Sequence, residues 1–132
     1  MNTIPNHIFR KALTSDLKFF FESMSSLEGS YIDSFEFEVN YKSKIGNLDF
    51  ILFVIEDMNI PVGCVALQKV QNLSDSSPWI EIVEFFILPK YRKLQAADFF
   101  YHKIEEYVNG LGIFKMKVAC KINSTITQHF YT

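Results

Sequence analysis

Two carboxylates and a basic turn, close together in the chain, are the groups best placed in this sequence to do chemistry. Glu81 and Glu84 interrupt an otherwise apolar run, rich in β-branched and aromatic residues, over residues 80–88. That composition suits a central strand covered on both faces. A carboxylate set in apolar surroundings has its charged form disfavoured, which moves it towards the range where it can take a proton. On a regular strand, residues three apart face opposite sides, so only one of the two faces a cleft unless a bulge intervenes. Pro89 cannot donate to a sheet ladder and ends the strand. Tyr91, Arg92 and Lys93 then lead into a helix. The first turn of a helix leaves unpaired N–H groups, and a basic turn at that point is a place to bind phosphate. Arg92 and Lys93 oppose the helix macrodipole there, so an anion explains them better than a bland solvated helix start does. The bland alternative for the two acids is a solvated position at the strand's rim, and it stands level with the functional one.

These groups need a frame, and the rest of the chain supplies one. After the turn, Ala96, Ala97, Phe100, Ile104, Tyr107 and Val108 recur at three- and four-residue steps, the spacing of one helix face. Asn109-Gly110 is expected to stop that helix through a left-handed residue. Upstream, residues 8–13 read as a first edge strand. Thr14, Ser15 and Asp16 start a helix that a hydroxyl would cap, and Glu28-Gly29 ends it. Phe35, Phe37 and Val39 alternate with polar residues like a strand, but a helix starting near Asp33 or Ser34 is the reading preferred here. Residues 50–56 and 60–70 form a hairpin around Asp57, Met58 and Asn59, and Gly63 marks a bulge or close packing. The polar run 71–78 returns the chain to the central strand. Residues 114–121 alternate as a fifth strand with lysines at 115, 117 and 121; the right-handed crossover rule places it parallel to the central strand. Asn123, Ser124 and Thr125 open a last short helix.

A chain of 132 residues, 48% hydrophobic and 16% aromatic, is sufficient for one domain with a proper core, residues 1–132. A formal net charge of −2 argues against a general nucleic-acid binder. Cys64 and Cys120 lie in apolar strand-like runs and read as buried thiols. The three histidines are scattered, so no metal site is expected. There is no signal-peptide pattern, and the apolar runs are too short to span a bilayer. A cytoplasmic protein with no membrane or nucleic-acid partner is the default.

The stretch EFFILPKYRKLQAA, residues 84–97, resembles motif A of the GCN5-related N-acetyltransferases (GNAT). In that family a strand ends in a V-x-P-like step, matched by Ile87-Leu88-Pro89. A loop of the form R/Q-x-x-G-x-G/A follows, which Arg92 opens. Gln95 stands where the family has its first glycine, and Ala97 fits the second position. Phe130-Tyr131 is similar to the family's late Phe-Tyr pair. The order β-α-(α)-β-β-β-α-β-α agrees along nearly the whole chain. The resemblance implies an α+β fold of the acyl-CoA N-acyltransferase kind: a mixed, mostly antiparallel sheet flanked by helices, here without the family's two terminal strands. It implies acetyl-CoA as co-substrate and an N-acetyltransferase acting on a primary amine of a small molecule or protein by direct transfer in a ternary complex. By the same resemblance, Phe86, Ile87 and Leu88 pair with pantetheine. Arg92, Lys93, Leu94, Gln95, Ala96 and Ala97 surround the pyrophosphate, and Asn123 belongs to the coenzyme site. Glu84, or second Glu81, is the general base, and Tyr131 the general acid.

Two other readings compete. One is a catalytically inactive relative that binds coenzyme A or a protein partner; the other is an unrelated α+β ligand-binding domain, since element order alone is not function. Without terminal strands the fifth strand would present an open edge, from which a symmetric homodimer is expected.

Overall fold

The computed structural model describes residues 7–29, 31–74, 76–92 and 95–121. Within them, β1 (His7–Lys11), β2 (Phe50–Asp57), β3 (Ile60–Val70), β4 (Trp79–Ile87) and β5 (Met116–Lys121) form one sheet in chain order. The first four strands run antiparallel to their neighbours, and β5 runs parallel to β4. Helices α1 (Leu17–Glu28) and α2 (Ser34–Lys44) cover one face; α3 (Gln95–Gly110) covers the other. The expected α+β class and element order therefore stand. The final short helix and the Phe130-Tyr131 pair lie outside the described residues.

The helix faces follow the sequence spacing. Ala96, Ala97, Phe100, Ile104 and Val108 are all buried and meet Ile80, Ile82, Phe85 and Ile87 of β4. On the other face, Phe20, Met24 and Tyr41 pack on Leu52, Val54, Cys64, Ala66 and Phe86. α2 is a helix despite its strand-like alternation. Asp33 accepts from the Phe35 N–H at 2.9 Å and caps it. Its turns bring Phe37 and Tyr41 inwards and leave Phe35 and Val39 exposed.

Several local expectations change. No hydroxyl caps α1: a 3-10 turn over Thr14–Asp16 precedes it, and Asp16 turns back instead. Its carboxylate accepts from the Leu13 N–H (2.7 Å) and from both Nη atoms of Arg10 (2.8 and 2.9 Å). Burial pushes the Asp16 pKa up, but the Arg10 and Leu13 bonds outweigh it, and the net shift is downward. α3 ends at Gly110 as expected, but not through a left-handed residue there. Gly110 is helical, and the left-handed residue is Gly112, at φ 78°. β5 begins at Met116 rather than residue 114, and Phe114 is 86% exposed rather than core-facing. Lys117 and Lys115 place their ammonium groups 4.1 and 5.7 Å from the Trp79 ring.

The β2–β3 hairpin turns through Met58 (φ 53°) and Asn59 (φ 67°), both left-handed. Two such residues make the turn whose twist matches a hairpin. Asn tolerates this conformation readily and Met does not, so pairing of the strands imposes it. Gly63 fulfils both roles suggested for it. The register shifts beside it, with Ile55 opposite Gly63 and Glu56 opposite Pro61. A Cβ on Gly63 would lie 2.7 Å from Ile55 Cγ2 and 3.0 Å from the Phe86 carbonyl oxygen.

Candidate functional site

The decisive local feature is a bulge in β4. Leu67 pairs with Ile82 and Ala66 with Glu84, so Val83 is the extra residue. The bulge inverts the alternation of every residue beyond it. Ile80 and Ile82 before it, and Phe85 and Ile87 after it, all face α3, whereas Phe86 faces α1 and α2. Glu81 pairs with Gln68 and Glu84 with Ala66, two positions along the same face of β3. Both carboxylates therefore project to the α1/α2 side, which a regular strand would have forbidden.

Only Glu84 reaches the cavity there. A pocket of about 360 Å³ is lined by Phe20 and Met24 of α1, Phe37, Asn40, Tyr41 and Lys44 of α2, Phe50 and Leu52 of β2, and Glu84. Glu81 is not among its walls. A larger open groove of about 790 Å³ lies between β1 and α3, at the other edge of the sheet and away from both acids. The smaller pocket is the chemically interesting one, because a half-buried carboxylate lies at its otherwise mostly apolar wall. Burial, then the charge of Glu28, raises the Glu84 pKa above the usual carboxylate range.

The walls are rigidly held. The Tyr41 hydroxyl donates to the Leu13 carbonyl at 2.6 Å, tying α2 to the segment that Asp16 and Arg10 fix. Burial, with the nearby charge of Asp16, raises the Tyr41 pKa, so the phenol stays protonated. Cys64 lies fully buried in the same apolar cluster, its thiol pushed up to about 12 by burial. It is not a nucleophile.

β4 ends beside this pocket, and its outer edge changes character there. The last described pair between β4 and β5 is Glu84 with Lys121. The Leu88 N–H donates to the Val62 carbonyl at 2.8 Å, so Leu88 points its backbone groups at β3. Ile87, one residue earlier, points its own the opposite way. Its carbonyl accepts from Arg92 Nε at 2.8 Å, and the Arg92 guanidinium lies 5.6 Å from the Phe86 ring. Arg92, expected at a pyrophosphate, is thus folded against the strand end, where burial lowers its pKa. Tyr91 packs against the α3-side core.

α3 starts at Gln95, with Ala96 and Ala97 buried against the sheet. Only the backbone of Gln95 is described; Lys93, Leu94, Asn123 and Tyr131 lie outside the described residues. The structure thus brings Glu84, Phe86, Ile87, Leu88 and Arg92 together at one end of β4. Apart from Glu84, the sequence singled out none of the pocket walls. Their mark was present: Phe37, Asn40, Tyr41 and Lys44 are spaced as one helix face, masked by the alternation at 35–39.

The acetyltransferase (GNAT) family profile matches residues 12–132. The chain belongs to the GNAT family of acetyltransferases. As a GNAT protein it is an acetyl-CoA-dependent acetyltransferase. Solved GNAT structures share its fold. A GNAT family acetyltransferase from Staphylococcus aureus is 18% identical with a TM-score of 0.73, over 96% of this chain and 93% of that one. The aminoglycoside N-acetyltransferase AAC(6')-Iy, in complex with CoA, is 16% identical with a TM-score of 0.76, over 98% and 86%. A predicted acetyltransferase with acetyl-CoA from Clostridium acetobutylicum is 13% identical with a TM-score of 0.73, over 96% and 90%. No curated protein sequence matches the chain. Among the described residues of this GNAT chain, no helix is long and apolar enough to cross a membrane.

Proposed function

We propose that this GNAT chain transfers the acetyl group of acetyl-CoA to a primary amine of a small molecule or protein, directly, within a ternary complex. Acetyl-CoA, when bound, supplies the acetyl group already activated as a thioester. The chain fits it at one observed point. The Ile87 carbonyl faces away from β3 and, among the described residues, is served by the Arg92 side chain and not by a strand, so this edge of β4 offers a backbone acceptor to an extended amide-bearing arm. Phe86, Ile87 and Leu88 would hold that arm. Arg92, Lys93, Leu94, Gln95, Ala96 and Ala97 would surround the pyrophosphate at the start of α3, with Asn123 beside them.

The observation that carries the amine chemistry is Glu84, on a β4 bulge and at the wall of an apolar cavity. An ammonium entering the cavity must lose a proton before it can attack a carbonyl. A carboxylate whose affinity for protons is raised by burial takes that proton more readily than an ordinary one. Glu84 is assigned as this base, and Glu81, on the same face but outside the cavity, stands second. Tyr131 is assigned to return a proton to the departing thiolate.

Coenzyme A decides the matter. Added at about 100 times its dissociation constant, it stabilises the native chain by about 2.7 kcal/mol, read as a rise in Tm. Arg92→Glu should remove that rise. Acetyl-CoA with a panel of primary amines should release free thiol. A rise in Tm without thiol release would favour the inactive relative, and no rise at all would overturn the coenzyme site.

A further inference from the structure

We infer that the amine accepted by the α1/α2 cavity has an apolar, ring-sized body and carries a carboxylate at the end far from the amine, with Lys44 and Asn40 selecting it. This deepens the acetyltransfer proposal and rests on it. Glu84 lines the cavity from β4, half-buried, and pairs with Ala66 of β3, which pairs in turn with Leu52 of β2. Asn40 and Lys44, one turn apart on α2 and both exposed, line it as well, and Lys44 lies against Phe50 of β2, two strands from β4. Phe20, Phe37 and Phe50 are among the apolar side chains that line the space with them. The volume of about 360 Å³ admits a single small molecule.

The charges in the lining decide the class. Among the described residues that line it, Glu84 is the one carboxylate and Lys44 the one cation. Glu28 acts on Glu84 by charge but is not part of the lining. Lys42, on the same helix, is engaged by Glu38 at 2.7 Å on another face. Lys44 forms no ion pair among the described residues; its ammonium rests 4.4 Å from the centre of the Phe50 ring, which holds it at the cavity. An ammonium with an amide one turn away is a donor pair suited to a carboxylate. The same ammonium repels a second positive charge on the ligand. A polyamine or other polycation would find one carboxylate and one cation in the lining, so the site is built against such acceptors.

Three acceptors that share a ring and an aminomethyl group test this: 4-(aminomethyl)benzoate, benzylamine and 1,4-bis(aminomethyl)benzene. Their binding is measured by calorimetry with coenzyme A present, and their turnover by thiol release from acetyl-CoA. The carboxylate should bind at least about fivefold more tightly than benzylamine, in keeping with a partly exposed charged contact, and the diamine most weakly. Lys44→Met should bring the first two level. Lys44→Glu should reverse the order in favour of the diamine, with only a small fall in Tm, because Lys44 is exposed and its loss removes a favourable charge from the last turn of α2 and a contact with Phe50. Equal binding of all three, binding of none, or an order unchanged in Lys44→Glu would overturn the inference. Thiol release at equal kcat/KM from all three would overturn it too and leave acetyltransfer standing. The predicted binding order with no thiol release from any acceptor would sink the proposed transfer to such amines and uphold the cavity's preference.

Discussion

Glu84 carries opposite consequences for stability and for activity. Burial raises its pKa in the folded chain above the unfolded value. The folded state therefore holds the proton more tightly, and the charged form opposes folding at any pH above the folded pKa. Below the unfolded pKa both states are protonated and the penalty vanishes. Glu84→Gln should thus raise Tm at neutral pH, with the gain shrinking to nothing in acid. The same substitution removes the proposed base and should lower kcat/KM about a hundredfold. A variant that gains stability and keeps full activity would move the role to Glu81 or to water. Asp16 shows the other sign. Its pKa is net lowered, so its contribution is complete above the usual aspartate value and is lost as pH falls through the depressed one. Asp16→Asn should cost about 2 kcal/mol at neutral pH, as the Arg10 pairing is broken, and the difference from the parent should narrow in acid. Denaturant melts at pH 7 and pH 3 measure it.

At the scale of elements, β4 is shaped by two features of its pairing with β3, one at Val83 and one where Gly63 lies opposite Ile87. The Val83 bulge turns Glu84 to the cavity, and the tight approach of β3 at Gly63 holds the Phe86 carbonyl in place. Gly63→Ala should therefore act in two ways. The new methyl group presses on Ile55 Cγ2 at 2.7 Å and on backbone at 3.0 Å, neither of which is the free end of a flexible chain. Overpacking of this kind costs about 1–3 kcal/mol. The strain falls on the stretch proposed for pantetheine, so the KM for acetyl-CoA should rise more than the KM for amine; a variant with both constants unchanged would count against that assignment. The Tyr41 hydroxyl is the matching fastener on the helical layer. Tyr41→Phe deletes its 2.6 Å bond to Leu13 and should cost about 1 kcal/mol in a thermal melt.

Over the whole molecule, the sheet separates two jobs. α3 and the apolar face beneath it form the larger core, and α1 with α2 enclose the cavity on the opposite face. The chemistry proposed for the cavity is thus kept apart from most of the packing that stabilises the fold. Truncation of Phe100, fully buried under α3, should cost about 3–5 kcal/mol and lower Tm steeply. Lys44→Met, on the cavity side, should lower Tm only slightly, through the lost charge at the end of α2 and the lost contact with Phe50. Comparable losses of stability in both variants would contradict this division.

The fold was largely legible in the sequence because its signals are local. Apolar spacing over 96–108 makes one helix face; Pro89 ends a strand; Gly29, left-handed at φ 68°, ends α1 as its position suggested. Motif A pointed to the family through residues adjacent in the chain. The site depended on relations between distant residues. Whether Glu81 and Glu84 share a face turned on a bulge that arises only when β4 meets β3, since no residue in 79–87 announces it. The reversal of Asp16 needed Arg10 from β1, and the position of Arg92 needed the free side of the Ile87 carbonyl. Helix and strand periodicity are properties of a single segment, and sequence determines them directly. Which carboxylate becomes buried, and which cation lines the same cavity, is settled by pairing and packing between segments, and so by the tertiary structure alone.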